Sequence, residues 1–485
     1  MGHGSCGRCA GARHGVNPPL RYLHSAWVAC RMERVAPTDV VIPAAQVDAA
    51  MSDLREHIRM IHGSSTWLYC EGKHSAAAYF AILCMEEMSK HHKLGLRKRE
   101  DKAVTVEDMR SAYSHRKKIF SFLCKMGGTS GTVGQCLGHK SQCSPNYSLA
   151  AAKLNFMKQL AVYHELVQGG VITLEGVLGR DNLFKVSTHL QHIACQGVAA
   201  MDEEAGIWKG TREIQEPACP GRGIDGALAK VMELACNVPT GNPLMDGVVL
   251  GRQSLDSVLK SLEWHIGELD ILAVMLHNSW HHAASIFMSI MSFEEANKYH
   301  VIARCRRRGD AVSKGDIEPL LNHKTKLTVF LKDVSDYQKR QNAKAGTRPT
   351  RKYHTIDPWA LWRLNSLKQI SMYFTHVCGR TTTLERLLDL GAGGVSTYLR
   401  KTLLGMISWA ILCDGDTDDP YTMHGTNPVH AKRLKKLVDF KTDEEYRAAD
   451  GEMYYAIGLL DCLNGAIGRH DAELCEETLS IIEGI

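Results

Sequence analysis

The 485-residue chain has little net charge: Lys+Arg 58 stand against Asp+Glu 53, leaving +5. So small a balance excludes a protein that wraps nucleic acid by bulk positive charge, and leaves only local basic patches for such a partner. Long apolar runs are missing too. The longest, Leu403 to Cys413, is about half of the roughly 20 residues that span a bilayer, so no transmembrane helix is expected. The first residues lack the basic stretch, clean apolar stretch and small-residue cleavage site of a signal peptide, and a cytoplasmic protein is expected. A Gly-rich phosphate loop with its Lys, a G-x-S-x-G elbow and an H-E-x-x-H pair are all lacking, which removes the ATPase, esterase and zincin readings.

What is present is ordinary globular composition, 44% hydrophobic and 23% charged, at a length that predicts about two to four domains. The 16 cysteines fall singly in apolar stretches (Cys70, Cys84, Cys195, Cys236, Cys378, Cys413, Cys462), as buried free thiols do in a reducing compartment. Residues 1–42, rich in Gly, Cys, His, Arg and Pro, read as a flexible extension. Cys6 and Cys9 with His3 and His14 have the spacing of half a zinc knuckle, but no second ligand pair follows.

The chain aligns with itself at an offset of 208 residues, without a gap, across about 80 positions. His74 pairs with His282 and Ala76 with Ala284; Glu86, Glu87 and Lys90 fall on Glu294, Glu295 and Lys298; His115 and Lys118 fall on His323 and Lys326. Upstream, Asp48, Leu54, His57 and Ile58 match Asp256, Leu262, His265 and Ile266. The match resumes two residues later, where LNFMKQLAVY (Leu154 to Tyr163) meets LNSLKQISMY (Leu364 to Tyr373). Residues 44–62, 66–95, 105–126, 149–168 and 185–200 carry apolar positions at three- and four-residue spacing, and nothing reads as a hairpin or a sheet. The expectation is an all-α protein of two antiparallel helix bundles at 43–210 and 251–415, joined by 211–250 and followed by a helical segment at 416–485.

Glu87 and Lys90 share a helix face, as do His115 and Lys118, and packing those helices would gather a carboxylate, ammonium groups and an imidazole. Such a set moves protons near neutral pH and holds phosphate. Taken singly, each pair is equally a surface helix pair. Both halves keep the same set at the same separation. One asymmetry stands out: Arg110 precedes His115 by five residues, whereas Glu318 precedes His323. Basic residues follow each Glu-Glu-x-x-Lys helix, Arg97, Lys98 and Arg99 in the first half and Arg304, Arg306, Arg307 and Arg308 in the second, and are candidates for RNA binding or simple helix ends. Cys136, His139 and Cys143 lack a fourth metal ligand, and the acidic run Asp414, Asp416, Asp418 and Asp419 lacks the glycine and distal Glu of a calcium loop. No metal and no cofactor are expected.

In these residues the chain resembles the AbiV family of bacterial abortive-infection proteins: a small-residue helix running into Glu-Glu-x-x-Lys, then His-x-x-Lys, then the LKQ...Y helix, over roughly 44–180 and again 252–390. The resemblance implies HEPN-like bundles that pair, here within one chain as a pseudo-dimer. It further implies a metal-independent ribonuclease with an Arg-x4–6-His motif, matched by Arg110 and His115 but not by Glu318 and His323. The implied role is phage defence by shutting down translation. Arg110, His115, Lys118, Glu87 and Lys90, with His323, Lys326, Glu295 and Lys298, are the expected catalytic set. RNA and a phage-encoded or translation-related protein are the expected partners, and a non-catalytic helical interaction protein is the alternative.

Overall fold

The computed structural model describes residues 40–105, 108, 114–129, 146–204, 224–240, 248–345, 364–365, 367–369, 371–373, 375–377, 380–382, 391–419, 422, 424 and 427–432. The chain divides into two compact units, Met1–Asp39 and Val40–Ile485, and all described residues belong to the second. Arg110, the N-terminal Cys/His group and Cys136, His139 and Cys143 lie outside the described residues, as do all of 205–223 and all beyond 432.

The described fold is predominantly helical, as the periodicity predicts. In the first half the helices are α1 Val47–Cys70, α2 His74–Arg99, α3 His115–Thr129, α4 Tyr147–Val162, α5 Leu174–Leu178, α6 Arg180–Glu204 and α7 Ile224–Leu234. In the second they are α8 Leu255–Asn278, α9 His282–Arg308, α10 Lys314–Leu321, α11 His323–Ala345 and α12 Gly391–Leu412, with further helical residues between 364 and 372. α1 packs on α2 and α8 on α9; α3, α4 and α6 close around α2, and α11 and α12 around α9.

α1 shows why these residues form a helix here. Val47, Ala50, Leu54, Ile58, Ile61 and Leu68 recur at helical spacing and are all buried, so the helix has one apolar face. α2 and α9 differ: every residue from Ala76 to His91 and from Ala283 to Ala303 is buried. They are the central helices, and each fully buried Leu, Ile or Phe on them contributes roughly 1.5–3 kcal/mol. Gly197 of α6 permits one of these contacts, since a Cβ there would meet Met88 Sδ at 2.6 Å and the Phe122 ring at 2.9 Å.

Two expectations are corrected. The helix at 66–95 is broken at residues 71–73, where Gly72 takes φ 72° and Lys73 N–H returns to Leu68 C=O at 2.9 Å, an αL termination. Strands are also present, among the described residues as four two-stranded antiparallel sheets: β1 Val40–Ile42 with β2 Val104–Thr105, β3 Glu165–Val167 with β4 Gly170–Ile172, β5 Val248–Leu250 with β6 Val312–Ser313, and β7 Thr375–Val377 with β8 Arg380–Thr382. Strands of two or three residues are too short to display an alternating pattern, which is why the sequence conceals them.

The sheets recur at the offsets of the sequence repeat. Val40 faces Thr105 as Val248 faces Ser313, and Glu165 faces Ile172 as Thr375 faces Thr382. Contacts between the halves are reciprocal. His57 Nε2 lies 3.1 Å from Met372 C=O, and its counterpart His265 Nε2 lies 3.0 Å from Val162 C=O. Tyr79 and its own counterpart Phe287 stack at 5.2 Å and 23°. Among the described residues no helix is long and apolar enough to cross a membrane.

Candidate functional site

Buried charge marks the site. Glu86 and Glu87 lie midway along α2 and Glu294 and Glu295 midway along α9, all fully buried. Burying a carboxylate is costly unless it is paired, so the partners define two clusters.

In the first cluster, Glu86 Oε1 accepts from Lys158 Nζ of α4 at 2.6 Å, and Oε2 lies 2.7 Å from Nδ1 of His115, the first residue of α3. Lys118 Nζ, one turn along α3, is 3.2 Å from the same Oε2. Glu87 pairs with Lys90 at 2.9 Å. The carboxylate that holds His115 is therefore Glu86, not Glu87 as the face argument expected. Glu86 and Glu87 are adjacent in sequence and point to different neighbours, so only the packing of α3 decides between them.

In the second cluster, Glu294 Oε1 accepts from Lys368 Nζ, and its Oε2 lies 3.7 Å from Lys326 Nζ. Glu295 binds Lys298 at 2.8 Å and Lys326 at 3.1 Å. Lys298 Nζ also donates to His164 C=O at 2.7 Å, which ties α9 to the first half. His323 opens α11 as His115 opens α3, but its side chain lies outside the described residues.

Each cluster is capped by a tyrosine from the opposite half. The Tyr373 ring lies 5.5, 5.0 and 6.0 Å from Nζ of Lys90, Lys118 and Lys158, and is tilted against His115 at 5.6 Å. The Tyr163 ring lies 5.7 and 4.2 Å from Nζ of Lys298 and Lys326. Cation–π contacts of desolvated ammoniums contribute on the order of 1–2 kcal/mol each. Lys158, Lys368, Tyr163 and Tyr373 escaped the expected site, although the matching LNFMKQLAVY and LNSLKQISMY segments carry all four at corresponding places.

The two environments differ electrically. Burial pushes the Glu86 carboxyl up, but His115, Lys158 and Lys118 pull harder and hold it well below the ordinary range. Burial lowers Lys158 to about 8 against the pull of Glu86. The same effect, aided by Lys158 and Lys118, lowers His115 to about 4. In the second cluster burial lowers Lys298 but is outweighed at two other groups: Glu295 and Glu294 raise Lys326, and Lys298 and Lys326 hold Glu295 down at about 2. The His115 side chain remains 39% exposed, whereas Lys118, Lys158, Lys298 and Lys326 are buried.

The basic residues expected to bind RNA occupy helix ends rather than loops, and most face acids. Arg97 pairs with Asp108 and Glu100, Lys98 with Asp48, Arg304 with Asp333, Arg306 with Asp256 and Asp414, and Arg307 with Asp416 at 3.0 Å. Arg99 and Arg308 are exposed. The acidic run Asp414–Asp419 thus serves the end of α9. Gly415, at φ 75°, sits so close that a Cβ would meet Arg304 N at 2.2 Å. Among the described residues no group of His, Cys, Asp or Glu is arranged to hold a metal ion.

The fold and site together define a predominantly helical protein with two related buried Glu/Lys clusters, one of which presents an imidazole to solvent. No family model, curated protein or solved structure matches this chain.

Proposed function

We propose that the chain is an abortive-infection protein of the AbiV type, built as an intramolecular pair of HEPN-like bundles, that cleaves RNA without a metal ion at the first cluster. The observation that carries this reading is His115: its Nδ1 is anchored on buried Glu86 while its ring stays partly open to solvent. Nδ1 lies between the Glu86 carboxylate at 2.7 Å and the Lys158 ammonium at 2.9 Å, and in the tautomer whose Nδ1–H donates to Glu86 the neutral ring keeps its lone pair on Nε2. Nε2 then takes the proton of a ribose 2′-hydroxyl, the 2′-oxygen attacks the adjacent phosphorus, and a 2′,3′-cyclic phosphate forms. The departing 5′-oxygen receives the proton back from His115. Lys118 and Lys158 supply positive potential beside the phosphate, and by resemblance Arg110 contacts it. Translation in the infected cell stops as its RNA is cut.

The test is the full chain incubated with total RNA in chelator, beside His115→Ala and His323→Ala. Cleavage falls by about 10²–10⁴-fold in His115→Ala, while His323→Ala keeps most of it. Equal cleavage by the native and His115→Ala proteins, or none by either, removes the nuclease reading.

A second reading rests on a different observation, the full burial of all four glutamates and the Lys298 link across the halves. Here the clusters are internal clasps, and the protein acts by binding a phage or translation component in the cytoplasm. His115→Ala protein that stays folded and still protects cells against phage favours this reading.

A further inference from the structure

The basic residues at the ends of α2 and α9 mostly face acids, but two cations beside His115 do not. Arg116 and Lys117 follow it on α3, and both are exposed. Arg116 donates to Ser148 Oγ of α4 at 3.1 Å, and among the described residues neither side chain pairs with a carboxylate. Phe120 lies four residues from Arg116 and three from Lys117, so the three share one face of the helix. Its ring is 42% exposed. The opposite face of α3 is filled by Ile119, Phe122, Leu123 and Met126, all buried, so the core does not account for Phe120. An exposed aromatic alone is ordinary. This one stands about 6 Å along the helix axis from an unneutralised arginine, on the helix that begins with the imidazole. In the second half Lys117 and Phe120 fall on Thr325 and Thr328, and Thr328 Oγ1 turns back to Thr325 C=O at 2.9 Å. The corresponding places on α11 therefore carry neither the ring nor that cation.

We propose that the outer face of α3 is the surface on which single-stranded RNA lies: Arg116 and Lys117 hold its phosphates and Phe120 stacks one of its bases, which leads the strand past His115. Cations beside an aromatic platform fit an unpaired strand, because each unpaired base offers a free π-face. The bases of a duplex are already stacked on one another, and its recognition needs no ring. An acidic peptide would use the cations and leave Phe120 idle. The binding stands on this surface alone, while its consequence for catalysis rests on the proposed function.

The experiment is fluorescence anisotropy of the full chain with a labelled 2′-O-methyl oligouridine, which lacks the attacking hydroxyl and so stays intact. Phe120→Leu keeps an apolar side chain but no ring, and binds about tenfold more weakly, whereas Phe120→Trp binds at least as tightly as the native chain. Arg116→Ala and Lys117→Ala each reduce the slope of log affinity against log salt by about 0.7, and Phe120→Leu leaves that slope unchanged. An abasic strand of the same length, and a duplex, do not distinguish Phe120→Leu from the native chain. Arg97→Ala, which removes a guanidinium already held by Asp108 and Glu100, binds as the native chain does. Equal affinity of Phe120→Leu and the native chain for the oligouridine overturns the proposal. So does an equal loss on the abasic strand, tighter binding of the duplex or of an acidic peptide, or no binding by the native chain. If the native chain binds as described and cuts no RNA, the nuclease reading fails and the surface stands. If it cuts RNA while Phe120→Leu binds and cuts equally well, the surface fails and the nuclease reading stands.

Discussion

In the first cluster a partly exposed imidazole meets Glu86, and in the second a tyrosine hydroxyl brought from the other half meets Glu294. Both use two adjacent glutamates, three lysines and a tyrosine cap. In the first, burial lowers Lys158 to about 8 and His115 to about 4, while the ion pairs hold Glu86 low. In the second, ion pairing raises Lys326 and holds Glu295 low, while burial lowers Lys298. The difference teaches that the repeated framework does not specify chemistry. What closes each cluster differs, Tyr373 beside His115 at the first and Tyr163 at the second.

The largest effects expected are on stability, and they test how alike the two frameworks are. Glu86→Ala strands the buried ammoniums of Lys118 and Lys158 and Glu294→Ala that of Lys368, and each costs about 3–5 kcal/mol in urea unfolding. A loss below about 1 kcal/mol at either site breaks the equivalence. Acid separates the clusters next. Glu295 titrates near 4.5 when unfolded and near 2 when folded, so its carboxylate contributes stability above pH 4.5 that is lost as pH falls toward 2. The size is on the order of 3 kcal/mol. His115 takes up a proton near 6.5 in the unfolded chain and near 4 in the folded one, so its contribution fades earlier, as pH falls from 6.5 toward 4. His115→Gln lessens the slope of the stability profile in the upper window, to which His164 and His265 beside the second cluster also contribute, and Glu295→Gln lessens it in the lower. A flat profile between pH 4 and 6.5 in the native protein contradicts the assignment.

A smaller contrast lies where the first two long helices of each half meet. Gly72 turns the corner at φ 72°, while its counterpart Trp280 does so at φ 64° with its side chain 84% exposed. A left-handed conformation costs an L-residue roughly 1–2 kcal/mol, and an exposed indole returns little packing. Trp280→Gly is therefore expected to raise stability by about 0.5–1 kcal/mol after the added freedom of the unfolded chain is counted. A loss of stability in thermal unfolding shows that the indole is held by contacts worth more than the strain.

How much of this was legible in the sequence depends on the range of the interaction. Helical spacing in α1 and the 208-residue register are local signals, and both appear in the folded chain. Lys90 beside Glu87 is equally local. Glu86 as the partner of His115 is 29 residues away along the chain, and Tyr373 comes from the other half; no spacing rule connects them. The sheets were hidden for another reason, since β1–β2 joins two very short strands about 60 residues apart. Charge was misleading in isolation. Arg306 and Arg307 read as a basic patch, and Asp414 and Asp416 as an acidic one, until the fold sets them against each other.

That last point gives the smallest predicted effect. Lys98 meets Asp48 at 2.5 Å at the end of α2, but both side chains are more than half exposed. Arg306 at the end of α9 reaches Asp414, which is mostly covered, and Asp256 at 3.0 Å. An exposed pair contributes about 0.2–1 kcal/mol and is screened by salt, because the Debye length shrinks to about 3 Å at 1 M. Lys98→Ala is accordingly expected to shift the urea midpoint slightly in low salt and not at all in 1 M salt. Arg306→Ala leaves a covered carboxylate short of its partner, so its shift is larger and persists in salt. If both variants behave alike, the two helix ends are equivalent solvated surfaces. If Lys98→Ala instead weakens binding of a labelled RNA without moving the midpoint, the end of α2 is a contact surface and the end of α9 an internal joint. The comparison between the halves then extends from the buried clusters to the surface.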